Sequence, residues 1–216
     1  MKKIIGIAGI GFVLIALVVL VRTIAHTPPE LGVVELVEIE FDDSTLAQHL
    51  SEAIQFPTVS HQDALLRDQQ AFDNFVAWVA NTYPELHGML SLQKLNDTLL
   101  YKWQGTDTEL KPILITGHYD VVPVIPGTEA KWDHLPFAGE IVDGVIWGRG
   151  ALDDKSGVVG ILEATNYLVK QGFVPSRSIY LSFGHDEELG GPNGAALVAS
   201  TLAAEGVQMA WSLDEG

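Results

Sequence analysis

Four short apolar runs, each followed closely by acidic residues or histidine, constrain the fold of this chain most strongly. The runs cover residues 113–116, 145–147, 179–183 and 209–213. Runs of this length bounded by turn residues are typical of buried β-strands. In an open α/β sheet, functional residues gather where the strands end at their carboxyl edge. We therefore expect four strand ends to bring their polar residues to one place.

The remaining pattern predicts an α/β fold. Helices are expected over residues 44–54, where Ser44 would cap the first turn, 72–79, 157–170 and 194–205. From Leu99 onward, expected strands alternate with expected helices. This alternation indicates a mainly parallel sheet with helices on both faces.

The N-terminus resembles a membrane segment. Residues 4–21 are eighteen residues without a charge, preceded by Lys2 and Lys3 and followed by Arg22. This length is about the minimum for a membrane-spanning helix, so residues 1–25 are predicted to be a signal anchor with a cytoplasmic N-terminus. The alternative is a cleaved secretory signal, for which residues 23–25 offer a weak cleavage site. Both alternatives place the globular part outside the cytoplasm, behind a tether and leading strand over residues 26–43.

Charge and cysteine content exclude several classes of function. The chain has 12 basic and 28 acidic residues, a formal net charge of −16. Nucleic acids and anionic lipid surfaces bind basic patches, so neither is expected as a partner of the globular part. The absence of cysteine excludes disulfides and thiolate ligands. Any metal must therefore be held by oxygen and nitrogen atoms.

The polar residues after the four runs are suited to a metal site. His118 offers an imidazole nitrogen, Asp153 can bridge two cations, and Glu188 and Asp214 can each bind one. Such ligands suit zinc, with manganese or cobalt as substitutes. Two ions about 3.5–4 Å apart can hold a water, lower its pKa and polarise a carbonyl group. The predicted activity is hydrolysis.

Two further carboxylates have predicted catalytic roles. Asp120 lies two residues after His118 and is expected to accept the second ring N–H of that histidine, which fixes the orientation of the ring. Glu187, beside the predicted ligand Glu188, is expected to act as the general base. Neighbouring side chains of a strand point to opposite faces, so both glutamates can face one site only where a strand end or turn breaks the alternation.

Several segments resemble the signature segments of one known family. GHYDVVP, GRGALDDKSG and GHDEELGG are similar to those of the dinuclear zinc exopeptidase and amidohydrolase family, which includes carboxypeptidase G, aminoacylase and succinyl-diaminopimelate desuccinylase. AIQFPTVS, beginning at Ala53, and the LDEG ending resemble the Gly-Xaa carboxypeptidase (carboxypeptidase S) group most. The resemblance implies the roles given above, with Asp153 as the bridge between two zinc ions and a cis peptide bond between Asp153 and Asp154.

The resemblance also implies parts that residues 1–216 do not contain. Members of the family have a lid domain, through which they can dimerise, and a later histidine that binds the second metal. Residues 44–216 are therefore expected to be the N-terminal part of the catalytic domain, and the chain to be a fragment or a truncated product.

The activity implied is hydrolysis of an amide bond next to a free carboxylate, in a peptide or an N-acyl amino acid. Two alternatives stay open at this point. One is a catalytically inactive domain, left by truncation, that binds a metal or a partner. The other is an aminopeptidase that recognises a free amine.

The mass of the protein from its native source tests the expected extent of the chain. We expect an intact mass well above the 23.4 kDa of the 216 residues. A mass of 23.4 kDa would contradict this expectation and favour the inactive alternative. A missing N-terminal segment of about 25 residues would show that a signal had been cleaved, whereas its presence would favour the anchor.

Overall fold

A computed structural model of the protein describes residues 2–26, 39 and 41–215. The chain divides into two compact units, Met1–Glu40 and Phe41–Gly216. The first unit contains helix α1, Lys2–Ile24. Across the described residues, no helix has both the length and the apolar character that crossing a membrane requires. The signal anchor expected over residues 1–25 stays a prediction.

The tether and leading strand predicted for residues 26–43 lie mostly outside the described residues. The second unit begins with helix α2, Asp43–Ile54. Its N-cap is Asp42, whose carboxylate accepts hydrogen bonds from the backbone N–H groups of Ser44 and Thr45. The predicted cap, Ser44, is instead the second residue of the helix. An aspartate at the N-cap supplies acceptors for the unpaired N–H groups of the first turn.

The described part of the second unit contains seven strands and four further α-helices. The strands are β1 (Ser91–Leu95), β2 (Thr98–Trp103), β3 (Ile113–His118), β4 (Ile141–Val142), β5 (Val145–Ile146), β6 (Ile179–Gly184) and β7 (Trp211–Leu213). The helices are α3 (Gln69–Thr82), α4 (Pro84–Met89), α5 (Lys155–Lys170) and α6 (Ala195–Ala204). The helices expected from the spacing of apolar residues are confirmed, with bounds that differ by a few residues.

The main sheet is mixed rather than mainly parallel. Its strand order is β1-β2-β6-β3-β7. Strand β3 pairs in parallel with β6 and β7, whereas β2 pairs antiparallel with β1 and β6. Only the two residues Asn96 and Asp97 join β1 to β2, and so short a connection permits only an antiparallel pair. The prediction of a mainly parallel sheet was wrong for these two strands.

The apolar run at residues 145–147 does not join the main sheet. It contributes β5, which pairs only with β4 in a separate two-stranded hairpin. The connecting residues Asp143 and Gly144 both have positive φ, 51° and 78°, as a tight type I′ hairpin turn requires. Asp153 therefore reaches the sheet edge on a loop, and three strand ends meet there instead of the predicted four.

Side chains of the sheet alternate between two apolar layers. On one face, Leu99 and Tyr101 of β2 join a core that includes residues of α2, α3 and α5. On the other face, Leu100 of β2 packs with Val198 and Leu202 of α6. Full burial of such a side chain stabilises the fold by about 1.5–3 kcal/mol. The prediction of helices on both faces of the sheet is confirmed.

A buried lysine connects α5 to the end of α2. Lys155 is fully buried, and its ammonium group donates hydrogen bonds to the carbonyl oxygens of Ala53, at 2.9 Å, and Phe56, at 2.6 Å. Its Nζ also lies 5.5 Å from the ring centroid of Phe75. Burial lowers the pKa of Lys155 to about 7. These contacts attach the first turn of α5 to residues 53–56.

Replacing this lysine by methionine tests the contribution of its hydrogen bonds. We expect Lys155→Met to lower the free energy of unfolding by about 1–3 kcal/mol, because the carbonyl groups of Ala53 and Phe56 lose a buried donor. Urea unfolding followed by tryptophan fluorescence measures the change. The matched control is Lys170→Met, at an exposed position in the last turn of α5, which should stay within about 0.5 kcal/mol of the wild type.

The same pair of proteins has an expected pH dependence. Since the pKa of Lys155 is about 7 in the fold, below its ordinary value of 10.5, the unfolded chain binds more protons between these pH values. The free energy of unfolding of the wild type should therefore rise with pH across this window, relative to Lys155→Met. If the wild type and Lys155→Met differ in free energy of unfolding by the same amount at pH 6 and at pH 9, the lowered pKa of Lys155 is contradicted.

Candidate metal and active site

The candidate site is centred on the imidazole of His118, the last residue of β3. His118 is 1% exposed. Its Nδ1 lies 2.9 Å from the backbone carbonyl oxygen of Asp120 and 3.3 Å from the Oδ1 atom of the same residue. The nearer acceptor is the carbonyl group, so Asp120 orients the ring through its backbone as well as its carboxylate. Nε2 is left facing the sheet edge.

Three carboxylates surround Nε2 of His118. Asp153 Oδ1 lies 3.0 Å away, Glu215 Oε1 3.1 Å and Glu187 Oε2 3.7 Å. Two sets of side chains bring potential ligand atoms within 4.8 Å of one another: His118 with Asp153 and Glu188, and His118 with Glu187 and Glu215. The structure thus brings together His118, Asp153, Glu187 and Glu188 of the predicted site. Their individual roles stay predictions.

A turn after β6 allows both neighbouring glutamates to face His118. Residues Glu187–Leu189 form a single 3₁₀ turn, which ends at Gly190 with a φ of 86°. The Asp120 carboxylate accepts hydrogen bonds from the backbone N–H groups of Glu187, at 3.1 Å, and Glu188, at 3.2 Å. The side chain of Glu188 accepts a bond from the N–H of Val122 at 3.2 Å. The strand alternation is broken at the turn.

The loop that carries Asp153 is fixed by its neighbour Asp154. The peptide bond between these residues is cis, as the family resemblance implies. The buried carboxylate of Asp154 caps α5 through the N–H of Gly157 and lies 3.4 Å from the N–H of His118. A Cβ atom at Gly117 would lie 2.6 Å from Asp154 Oδ2, and one at Gly157 would collide with Oδ1. Glycine at these two positions makes room for the carboxylate.

The end of β7 places a different acid against His118 from the one predicted. Glu215, which sequence reasoning did not select, contacts Nε2 of His118. The predicted ligand Asp214 is exposed and accepts a hydrogen bond from the N–H of Glu215, at 3.0 Å. Both residues line a cavity of about 50 Å³ together with His118, Asp186 and Glu187. A signal for Glu215 was present, because it forms an acidic pair with Asp214 just as Glu187 does with Glu188.

Burial and the crowding of negative charge together set the electrostatics of the site. Burial alone would lower the pKa of His118, but the Asp120 carboxylate, with Glu215 and Glu187, raises it to about 10. Burial, together with the charge of Asp153, raises the pKa of Glu188. Burial also raises the pKa of Glu215, as do the charges of Asp154 and Asp153. A divalent cation would relieve this repulsion, so the donor set fits a metal held by one nitrogen and several carboxylate oxygens.

Four other histidines of the second unit have side-chain partners away from this cluster. His49 contacts Glu163, His87 bonds to the hydroxyl of Tyr101, and His134 bonds to Glu140. His185 is buried, and its Nδ1 lies 2.7 Å from the hydroxyl of Thr98.

The sequence of this chain is similar to those of known proteins from one family. Residues 114–215 match the peptidase family M20/M25/M40. Probable carboxypeptidase S-like 2 of Dictyostelium discoideum is 49% identical over 156 residues, which are 71% of this chain and 30% of that protein. N-fatty-acyl-amino acid synthase/hydrolase PM20D1 of Xenopus tropicalis is 37% identical over 221 aligned positions, which cover 96% of this chain and 41% of that protein.

A solved structure shares the fold. The M20 family metallo-carboxypeptidase Sso-CP2 of Sulfolobus solfataricus superposes with a TM-score of 0.60 at 23% identity, over 82% of this chain and 38% of that one. At this identity the similarity concerns the fold alone. The chain spans between 30% and 41% of the length of the two curated relatives above.

Metal binding by the 216-residue chain tests the site directly. We expect His118→Ala and Glu188→Gln each to weaken Zn²⁺ binding at least about tenfold, because each removes a predicted ligand. Loss of a residue that only hydrogen-bonds to a metal ligand already changes metal affinity by about this much. Competition with a chromophoric chelator measures the dissociation constant. Asp133→Asn, an exposed loop acid, is the control and should bind as the wild type does.

The same assay assigns the ligand at the end of β7. Family resemblance implies Asp214, whereas contact with His118 favours Glu215. Asp214→Asn and Glu215→Gln separate the two, since only loss of the true ligand weakens binding strongly. Unchanged affinity in His118→Ala would contradict the site as a whole.

Proposed function

Since the chain belongs to peptidase family M20/M25/M40, we propose that it acts in a metal-dependent hydrolase that cleaves an amide bond next to a free carboxylate. One observation carries the proposal: a single buried imidazole meets the carboxylates of Asp153, Glu187 and Glu188 at one edge of the sheet. This arrangement combines potential metal ligands with a carboxylate able to move protons.

His118, Asp153, Glu188 and Asp214 would hold two divalent ions, zinc in this proposal, with manganese or cobalt as substitutes. When bound, such ions supply an acidified water and polarise the carbonyl group of the substrate. The predicted ligand Asp214 competes with its neighbour Glu215, which contacts His118.

Glu187 is the proposed general base. Its side chain is 52% exposed, with Oε2 only 3.7 Å from His118 Nε2, so it can reach both a water and a substrate. Glu187 would take a proton from the attacking water and donate it to the nitrogen of the leaving amine. Asp120 would keep the imidazole of His118 in one orientation, as an outer partner of a metal-binding histidine does.

The names of two relatives support the proposed substrate class. One is named probable carboxypeptidase S-like 2 and the other N-fatty-acyl-amino acid synthase/hydrolase PM20D1. Both names describe an amide whose nitrogen belongs to an amino acid. We propose for this chain a peptide or an N-acyl amino acid with a free carboxylate.

Cellular location is a separate proposal that depends on the sequence of residues 1–25. The lysines at positions 2 and 3 and the uncharged run after them favour export of the second unit across a membrane. Measuring the intact mass separately in the membrane and soluble fractions distinguishes an anchored protein from one with a cleaved signal.

Replacing the proposed base separates an enzyme from a binding domain. We expect Glu187→Gln to lower kcat/KM for N-acyl amino acids at least about 100-fold, the usual contribution of a general base, while bound Zn²⁺ per chain stays unchanged. The protein is expressed in its native host and assayed with N-acyl amino acids and free-amine dipeptides. Glu205→Gln, at the exposed end of α6, is the control and should keep full activity.

Other outcomes identify the alternatives. A wild-type protein that binds Zn²⁺ but turns over neither substrate would support the inactive binding domain. Faster cleavage of free-amine dipeptides than of N-blocked ones would support an aminopeptidase instead.

A further inference from the structure

The Asp120 carboxylate has more partners than the orientation of one imidazole requires. Asp120 is fully buried. Its Oδ1 accepts the N–H of Glu187 at 3.1 Å, and its Oδ2 accepts the N–H of Glu188 at 3.2 Å. The ring of His118 meets the backbone carbonyl of Asp120 at 2.9 Å. The carboxylate therefore holds the turn that carries both glutamates.

A hydroxyl group from a distant segment completes the contacts of this carboxylate. Ser60 is 6% exposed, and its Oγ donates a hydrogen bond to Asp120 Oδ2 at 2.5 Å. A second acceptor, the carbonyl oxygen of His185, lies 3.5 Å away. Hydrogen bonds to a charged carboxylate are shorter and stronger than those between neutral groups. Ser60 thus restrains the oxygen that also holds Glu188.

The backbone fixes Ser60 at this position. Its N–H donates to the carbonyl of Val121 at 3.0 Å, and the N–H of Val121 donates to the carbonyl of Thr58 at 3.0 Å. Val59 and Val121 form an isolated parallel bridge. The segment from Thr58 to Ser60 therefore lies alongside the residues that follow β3, with the serine hydroxyl aimed at Asp120.

We infer that Ser60 is a positioning residue of the site: through Asp120 it keeps the Glu187–Glu188 turn and the ring of His118 in one arrangement. This inference rests on the proposed function, because the arrangement matters only if the site binds metal. A carboxylate restrained by Ser60 has one preferred rotation. Without that bond, its two oxygens can exchange partners, and the glutamate turn can shift away from His118.

A purely structural role for Ser60 makes a different prediction, and the chain contains a matched control. Thr58 lies two residues earlier and is fully buried. Its hydroxyl donates a bond of the same length, 2.5 Å, to the backbone carbonyl of Tyr119. Thr58 thus attaches the same segment to the same neighbour without contacting Asp120. A role in attachment alone predicts equal effects of losing either hydroxyl.

The experiment compares Ser60→Ala, Ser60→Thr and Thr58→Val in the 216-residue chain. Zn²⁺ affinity is measured by competition with a chelator, the geometry of the site by the absorption spectrum of bound Co²⁺, and folding by thermal unfolding of the metal-free chain. We expect Ser60→Ala to weaken Zn²⁺ binding about tenfold and to alter the Co²⁺ spectrum. Ser60→Thr keeps the hydroxyl and should restore both. Thr58→Val should lower the unfolding temperature about as much as Ser60→Ala does. It should change the Zn²⁺ affinity less than about twofold.

Equal losses of affinity in Ser60→Ala and Thr58→Val, or no loss in either, would overturn the inference while leaving the metal site intact. A wild-type chain that binds neither Zn²⁺ nor Co²⁺ would overturn the proposed function, and the inference with it. If Ser60→Ala does not fold, Ser60→Cys, whose thiol is a weak donor, takes its place with the same expected loss of affinity.

Discussion

Mutual repulsion among carboxylates at one edge of the sheet is the constraint on which this structure depends. Asp153, Glu187, Glu188 and Glu215 all approach the buried imidazole of His118. Burial, together with the charge of Asp153, raises the pKa of Glu188, since both disfavour the charged form of the carboxylate. Two further acids of the site, Asp120 and Asp154, are buried, and the fold supplies each with hydrogen-bond donors: Asp120 receives two backbone N–H groups and one hydroxyl, and Asp154 accepts the N–H of Gly157.

One short segment, residues 53–60, connects the two loops that carry the site. Lys155 donates to the carbonyls of Ala53 and Phe56 and so holds the loop that contains Asp153. Ser60 donates to Asp120 and so holds the residues after β3. Residues 53–60 thus contact both loops, although this segment contains none of the predicted metal ligands. Their effect on the proposed chemistry is indirect, through the positions of Asp120 and Asp153.

The site contains buried side chains, which are fixed in position, and exposed side chains, which are accessible to a metal, a water or a substrate. His118 and Asp120 are almost completely buried, which keeps their geometry constant. The side chains of Asp153 and Glu187 are 70% and 52% exposed, which leaves them free to meet a metal, a water or a substrate. This division suits a hydrolase, in which a rigid support positions a few accessible groups.

Much of this arrangement could be predicted from local patterns. Helical spacing of apolar residues located α2, α3, α5 and α6, and short apolar runs located β3, β6 and β7. The same order of strands and polar clusters indicated His118, Asp153, Glu187 and Glu188 as one site. The antiparallel β1–β2 pair was missed because strands were expected only from Leu99 onward, so neither β1 nor the turn at Asn96 and Asp97 was assigned. The β4–β5 hairpin was missed because a short apolar run predicts a strand but does not show which sheet the strand joins.

The sequence by itself determined the chemical types available to the site, since one histidine and several carboxylates without cysteine leave only nitrogen and oxygen donors. It also determined their order along the chain and the alternation of strands and helices, because these depend on neighbouring residues. Only the tertiary structure decided that Glu215 contacts His118, that the Asp120 carboxylate holds the glutamate turn, and that Ser60 reaches Asp120. These contacts join residues as many as 97 positions apart, and only packing between distant segments brings such residues together.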